Sequence, residues 1–255
     1  MEALPRYNSV NRPLTEKDVS SMLMRYGVNA TVLDARTYQN AMVHRSYRGH
    51  DSHAAPRPDN CMPLQPADYE RLEHLGDAVV GLAVTDYLHE RYPGESEGFI
   101  TQLRMQIVSG VVLSKMSFAV GLNRWVLLSA QAEADRARER PCVAEDVFEA
   151  FVAAIFKCCG YDTARAWVVG VLHEHLDIAA LIFSLRCTKD RLIRSCTDRF
   201  GFRPSIHTAR ADGQFVCTVQ DAAGASLASA CGPSPREAEL SACQSAWEAL
   251  LRRAS

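Results

Sequence analysis

No stretch of this sequence is apolar for long enough to cross a bilayer. The first fifteen residues, with Glu2, Pro5 and Asn8 among them, lack the apolar run of a secretory signal. The chain is therefore expected to be neither secreted nor embedded in a membrane. C-x-x-C is also absent: there are nine cysteines, but apart from the adjacent Cys158 and Cys159 they follow no paired spacing. That pattern argues against a disulfide framework or a zinc site and for reduced thiols in the cytoplasm or nucleus. Low-complexity tracts and internal repeats are missing, which excludes a disordered chain or a repeat array. So is any positive excess, since 28 Lys and Arg face 30 Asp and Glu for a net charge of -2. Binding nucleic acid through bulk charge alone is thereby disfavoured. The charge is uneven, however. From Thr188 onward nine basic residues face seven acidic ones, leaving 19 basic and 23 acidic before it. The acidic excess lies where metal ligands would put it.

What is present is an ordinary globular composition, 47% hydrophobic and 23% charged over 255 residues, enough for one larger and one smaller domain. Apolar residues at three and four spacing recur over 19–26, 72–88, 100–120, 147–156 and 164–182, so an all-α domain is expected over 1–185. Residues 48–68, with four prolines and two histidines, read as a long exposed loop. After residue 182 the pattern changes to a helix (190–199), three short strands (205–209, 215–219 and 226–230) and a last helix (235–252). This α-β-β-β-α order predicts a small α+β domain over 186–255. The last helix has a well-marked start, with Ser234 as N-cap, Pro235 at the first helical position and Glu237 completing a capping box.

The chemistry is carried by two acidic pairs. Glu73 and Asp77 are four apart and share a helix face with Val80 and Val84, beside a second row of Leu72, Leu75, Val79 and Leu82. Acids so spaced usually form a solvated stripe, yet this stripe runs straight into a core face. Asp146 and Glu149, three apart, head a row that continues through Ala150 and Ala153. An acidic first turn that favours the helix dipole is the ordinary reading of that pair alone. Together, the two pairs would meet if their helices packed on one another. Four carboxylates in a partly dry pocket would repel by about 4 kcal/mol per close pair at an effective dielectric of about 20. They need a cation, and an all-oxygen site selects Mg²⁺ or Mn²⁺ over zinc.

At these residues the chain resembles the ribonuclease III family. E-R-L-E-H-L-G-D at 70–77 is similar to that family's E-R-L-E-F-L-G-D, and D-V-F-E at 146–149 to its D-x-x-E. Residues 41–47 resemble its A-L-T-H-R-S-Y, and 97–104 agree in order and spacing; the likeness runs from about residue 38 to 182. It implies a magnesium-dependent endoribonuclease that hydrolyses both strands of double-stranded RNA, leaving 5′-phosphate and 3′-hydroxyl ends, with Mn²⁺ as a possible substitute. Glu73, Asp77, Asp146 and Glu149 would hold the metals, Glu97 would be an outer-shell carboxylate, and Glu70 and Arg104 would lie at the RNA. One set of motifs per chain implies a homodimer. RNA processing and suppression of RNA silencing are the roles such an enzyme could fill.

The C-terminal segment is similar to a double-stranded RNA-binding domain, with Gly232 to Glu239 resembling G-x-S-K-K-x-A-E. Ser234 and Arg236 would contact RNA there. Pro235 replaces one lysine, and Ala211-Asp212-Gly213-Gln214 replaces the usual G-P-x-H loop, so a protein-binding role is an alternative for this domain. His74 stands where the family has Phe at the subunit seam, and its protonation is expected to loosen a dimer in mild acid. His173 and His175 should face different ways on a helix, which disfavours a metal site, and His44 reads as a buried, hydrogen-bonded residue. The competing reading for the whole chain is a non-cleaving protein that sequesters or scaffolds RNA.

Overall fold

The structure, a computed structural model, describes residues 6–30, 32, 34–51, 56–186, 189–211 and 213–253. It divides into two compact units, Met1–Asp177 and Ile178–Ser255. The first is helical: α1 (Glu16–Arg25), α2 (Arg36–Asn40), α3 (Glu70–Arg91), α4 (Glu97–Ile107), α5 (Gly110–Val120), α6 (Ala130–Ala134), α7 (Pro141–Cys159) and α8 (Tyr161–His175). At its centre is α7, begun by Pro141 in the first turn and ended by Gly160 at φ 83°. From Val147 to Ile155 every residue of α7 is buried, as befits a helix surrounded on all sides. Around it pack α2, α3, α5 and α8. Phe148 and Phe151 meet Trp167 of α8 at ring-centroid distances of 5.5 and 5.2 Å. The Trp167 indole N–H donates to the Met22 carbonyl oxygen at 3.2 Å, which ties α1 to the same core.

Two expected runs are broken. The apolar pattern over 100–120 is shared by α4 and α5, which bend by 50° where Ser109 takes an extended conformation and donates its hydroxyl proton to the Gln106 carbonyl oxygen at 2.7 Å. The run over 164–182 stops at Leu176, also extended, and resumes in the second unit. Most of the described residues of the proline-bearing loop are exposed, as its composition suggests, but the loop is pinned to the core at one point. Leu64 is buried beside Tyr47, and the Tyr47 hydroxyl donates to the Met62 carbonyl oxygen at 2.7 Å. The loop returns so that the Tyr69 amide donates to the Val43 carbonyl oxygen at 2.9 Å, which positions the start of α3. Among the described residues no single helix is long and apolar enough to cross a membrane.

The second unit contains α9 (Ile178–Arg186), α10 (Lys189–Phe200), β1 (Ser205–Ala211), β2 (Gln214–Gln220), β3 (Ser226–Gly232) and α11 (Pro235–Arg253). The strands form an antiparallel sheet in the order β1-β2-β3, with Thr208 opposite Cys217 and Thr218 opposite Ser229. Ala238, Ala242 and Ala246 fall four apart on α11 and bury against Cys217 and Val219 of β2, their small side chains letting helix and sheet lie close. The Ser234 hydroxyl accepts the Glu237 amide proton at 3.2 Å and lies 3.1 Å from the Glu237 carboxylate, so the expected cap forms. The α+β arrangement is thus present, preceded by one further helix, α9. Asp212, in the loop that departs from G-P-x-H, lies outside the described residues.

Candidate active site

Gly76 is the point on which the site is built. A Cβ placed there would lie 1.9 Å from the carbonyl oxygen of Glu149, so α3 and α7 touch backbone to backbone at this residue. The contact sets Glu73 and Asp77 of α3 beside Glu145, Asp146 and Glu149 of α7. Just before α3, the buried Tyr69 donates its hydroxyl proton to Asp146 Oδ2 at 3.0 Å.

The electrostatics show how closely these acids are coupled. Glu149 is only 7% exposed, and its pKa is pushed up to about 8, first by burial and then by the charges of Asp77, Glu145, Glu73 and Asp146. Glu73 is raised by burial and then by Asp146, and Glu145 by burial, Asp146 and Asp77. Burial raises Asp146 as well, although the Tyr69 hydrogen bond and the nearby Arg45 oppose it. The 73/77 and 146/149 pairs therefore share one field. Among the described residues no three His, Cys, Asp or Glu side chains stand close enough, as placed, to hold a metal ion. The donor set nevertheless suits a hard divalent cation, because it is all carboxylate and its most buried member carries uncompensated like charge.

Glu145 and Tyr69 are the residues the sequence reading missed. Glu145 had a signal, since it precedes Glu149 by four and so shares its helix face. Tyr69 had none, for its hydroxyl reaches across 77 positions in sequence. Of the other expected residues, Glu70 is exposed in the first turn of α3, and Glu97 is exposed at the start of α4, accepting from the Thr101 hydroxyl at 2.9 Å. Arg104 lies half-buried against α3, its guanidinium 3.3 Å from where a Gly81 Cβ would be and its Nε enclosed without a hydrogen-bond partner. In the second unit, Arg236 is exposed, whereas the Ser234 hydroxyl is engaged in capping α11. His44 is half-buried, and its Nδ1 accepts the Ser46 amide proton at 3.1 Å. His173 and His175 lie 2.9 Å from different tyrosine hydroxyls, Tyr87 on α3 and Tyr26 at the end of α1. His74 is exposed in the single chain, as are Leu82 (56%) and Met105 (55%).

A family model described as ribonuclease-III-like matches residues 34–176. A ribonuclease 3 of Listeria monocytogenes is 31% identical over 194 residues, covering 73% of this chain and 82% of that protein. A protein of Paramecium bursaria Chlorella virus 1 is 34% identical over 128 residues, half of this chain; the chain spans 46% of that relative's length. The crystal structure of the nuclease domain of ribonuclease III from Campylobacter jejuni, 23% identical, superposes with a TM-score of 0.52 over 63% of this chain and 96% of that one, a likeness of fold. The match takes in both acid-bearing helices up to the end of α8, and the chain belongs to the ribonuclease III family.

Proposed function

We propose that the protein is a ribonuclease III-type endoribonuclease that hydrolyses phosphodiester bonds in both strands of double-stranded RNA with Mg²⁺, leaving 5′-phosphate and 3′-hydroxyl ends. The observation that carries this reading is the buried Glu149, surrounded by Asp77, Glu145, Glu73 and Asp146 with its pKa at about 8. A carboxylate cluster of this kind is poorly arranged for a protein that only grips phosphates, since buried acids add nothing to backbone binding. Glu73, Asp77, Asp146 and Glu149 would hold the ion, which when bound acidifies a water and stabilises the leaving oxygen. The chain's own part is to hold these carboxylates in a low-dielectric crossing, with Tyr69 fixing the orientation of Asp146 and Glu145 adding charge behind them. Mn²⁺ would serve in place of Mg²⁺ on the same oxygen donors.

One cluster per chain requires a homodimer to cut both strands, and exposed Leu82 of α3 and Met105 of α4 are apolar side chains such an interface would cover. The α+β unit would add RNA affinity through Ser234 and Arg236. A long labelled duplex incubated with Mg²⁺ should be cut by the native protein and left intact by Glu149→Gln. Binding without cutting by the native protein would favour the sequestering alternative. Sedimentation with RNA and Mg²⁺ should give the mass of two chains.

A further inference from the structure

Beside the carboxylates lies an open cleft of about 360 Å³ whose lining divides by charge. Glu70, Glu73 and Asp146 form its acidic part, and His44, Arg45 and Arg140 form a part made of hydrogen-bond donors. The donors come from two places, the turn over 44–47 that follows α2 and the residue that precedes α7. Because His44 Nδ1 accepts the Ser46 amide proton, the ring proton of neutral His44 sits on Nε2. Burial first, and then the charges of the nearby Arg45 and Arg140, lower the His44 pKa and favour the neutral ring. Arg140 uses one guanidinium N–H on the Asp135 carbonyl oxygen at 2.9 Å, and among the described residues neither arginine forms an ion pair. Arg45 is close enough to lower the Asp146 pKa without contacting it. Unpaired donors thus stand next to the acids that would do the chemistry.

We propose that His44, Arg45 and Arg140 seat an RNA phosphate neighbouring the one that is cut, so that the strand is held on the donor part of the cleft while the scissile phosphate lies over the acidic part. The inference rests on the nuclease reading for the position of the cut. A phosphodiester offers two unbridged oxygens, which match the guanidinium fork and the imidazole N–H, whereas an uncharged ligand would leave both arginines uncompensated.

The test uses a short RNA duplex in which one phosphate at a time is made a neutral methylphosphonate. Affinity is measured by filter binding to the full-length Glu149→Gln protein, which does not depend on cutting. Native protein maps the cut in single turnover. Adding Arg45→Gln and Arg140→Gln, both at exposed side chains, should weaken binding about ten- to a hundred-fold and lower the salt slope by about one to two. One methylphosphonate next to the cut should weaken binding to Glu149→Gln by a similar factor and leave the arginine-substituted protein unaffected. The paired Arg→Lys protein should keep the salt slope and lose part of the affinity, which separates a lost fork from a misfolded turn. Unchanged affinity and salt slope, or methylphosphonate effects that add at every position, would overturn the proposal. If native protein cuts while these effects are missing, the cleft assignment fails alone. If the effects appear and native protein never cuts, the nuclease reading fails instead.

Discussion

Gly76→Ala tests the crossing of α3 and α7 directly. The added methyl would stand 1.9 Å from a carbonyl oxygen, and since real Cβ atoms essentially never come within 3.0 Å, the helices must part by about 1 Å. The obstacle is backbone and cannot rotate away. Alanine recovers about 1 kcal/mol of helix propensity, while overpacking a tight contact costs up to about 3 kcal/mol, leaving a net loss of about 2 kcal/mol. For a unit of this size that lowers the melting temperature by roughly 4–8 °C. The effect on cutting should be larger, because a displacement of about 1 Å among reacting groups costs about a hundredfold in rate. Single-turnover cleavage and thermal melts of the same preparation measure both. Gly98→Ala is the control: it lies near the start of α4 with nothing within 4 Å of the added carbon, so neither melt nor rate should fall. A Gly76→Ala protein with native melting and native rate would show that the backbones do not meet there, and the shared field at Glu149 would lose its basis.

Glu149 makes stability depend on pH in a definite direction. Its folded pKa is raised from an ordinary 4.5 to about 8, so its contribution is fully present below pH 4.5 and is lost as the pH rises to about 8. Without metal, the native protein should fall by a few kcal/mol relative to Glu149→Gln across that window, and Mg²⁺ should restore the native protein preferentially. Parallel urea-stability curves from pH 5 to 8.5 would contradict this. Tyr69→Phe removes a hydrogen bond worth about 1.5–3 kcal/mol to a charged acceptor, and the Mg²⁺ concentration for half-maximal cutting should rise. An unchanged metal requirement would mean that Tyr69 does not order Asp146. Leu82→Glu, at a side chain 56% exposed, should leave the melt of the single chain intact while converting a dimer to monomers that nick duplex RNA without severing it; a persisting dimer by sedimentation would place the interface elsewhere.

Much of this arrangement is legible in the sequence because it is local. The rows through Glu73, Asp77, Val80 and Val84, and through Asp146, Glu149 and Ala153, follow from a period of 3.6, and the start of α11 follows from Ser234, Pro235 and Glu237. What cannot be read depends on contacts distant in sequence. Leu82 belongs to an apolar row yet is exposed, because periodicity marks an apolar face without saying whether the same chain covers it. The turn at Ser109 is hidden by apolar residues that continue in period on both sides.

Gly76 shows the same limit at the site itself. Taken locally, a glycine in the middle of a helix is a weakness of about 1 kcal/mol against alanine, and an acid at position 149, within nine consecutive buried residues of α7, is a larger one. Each becomes intelligible only through the other. The missing side chain lets α7 approach until its Glu149 carbonyl meets α3, and that approach puts the Glu149 carboxylate under the charge of Asp77 and Glu73. Stability is given up at both positions to hold like charges together, which is the condition under which a divalent cation is bound most strongly.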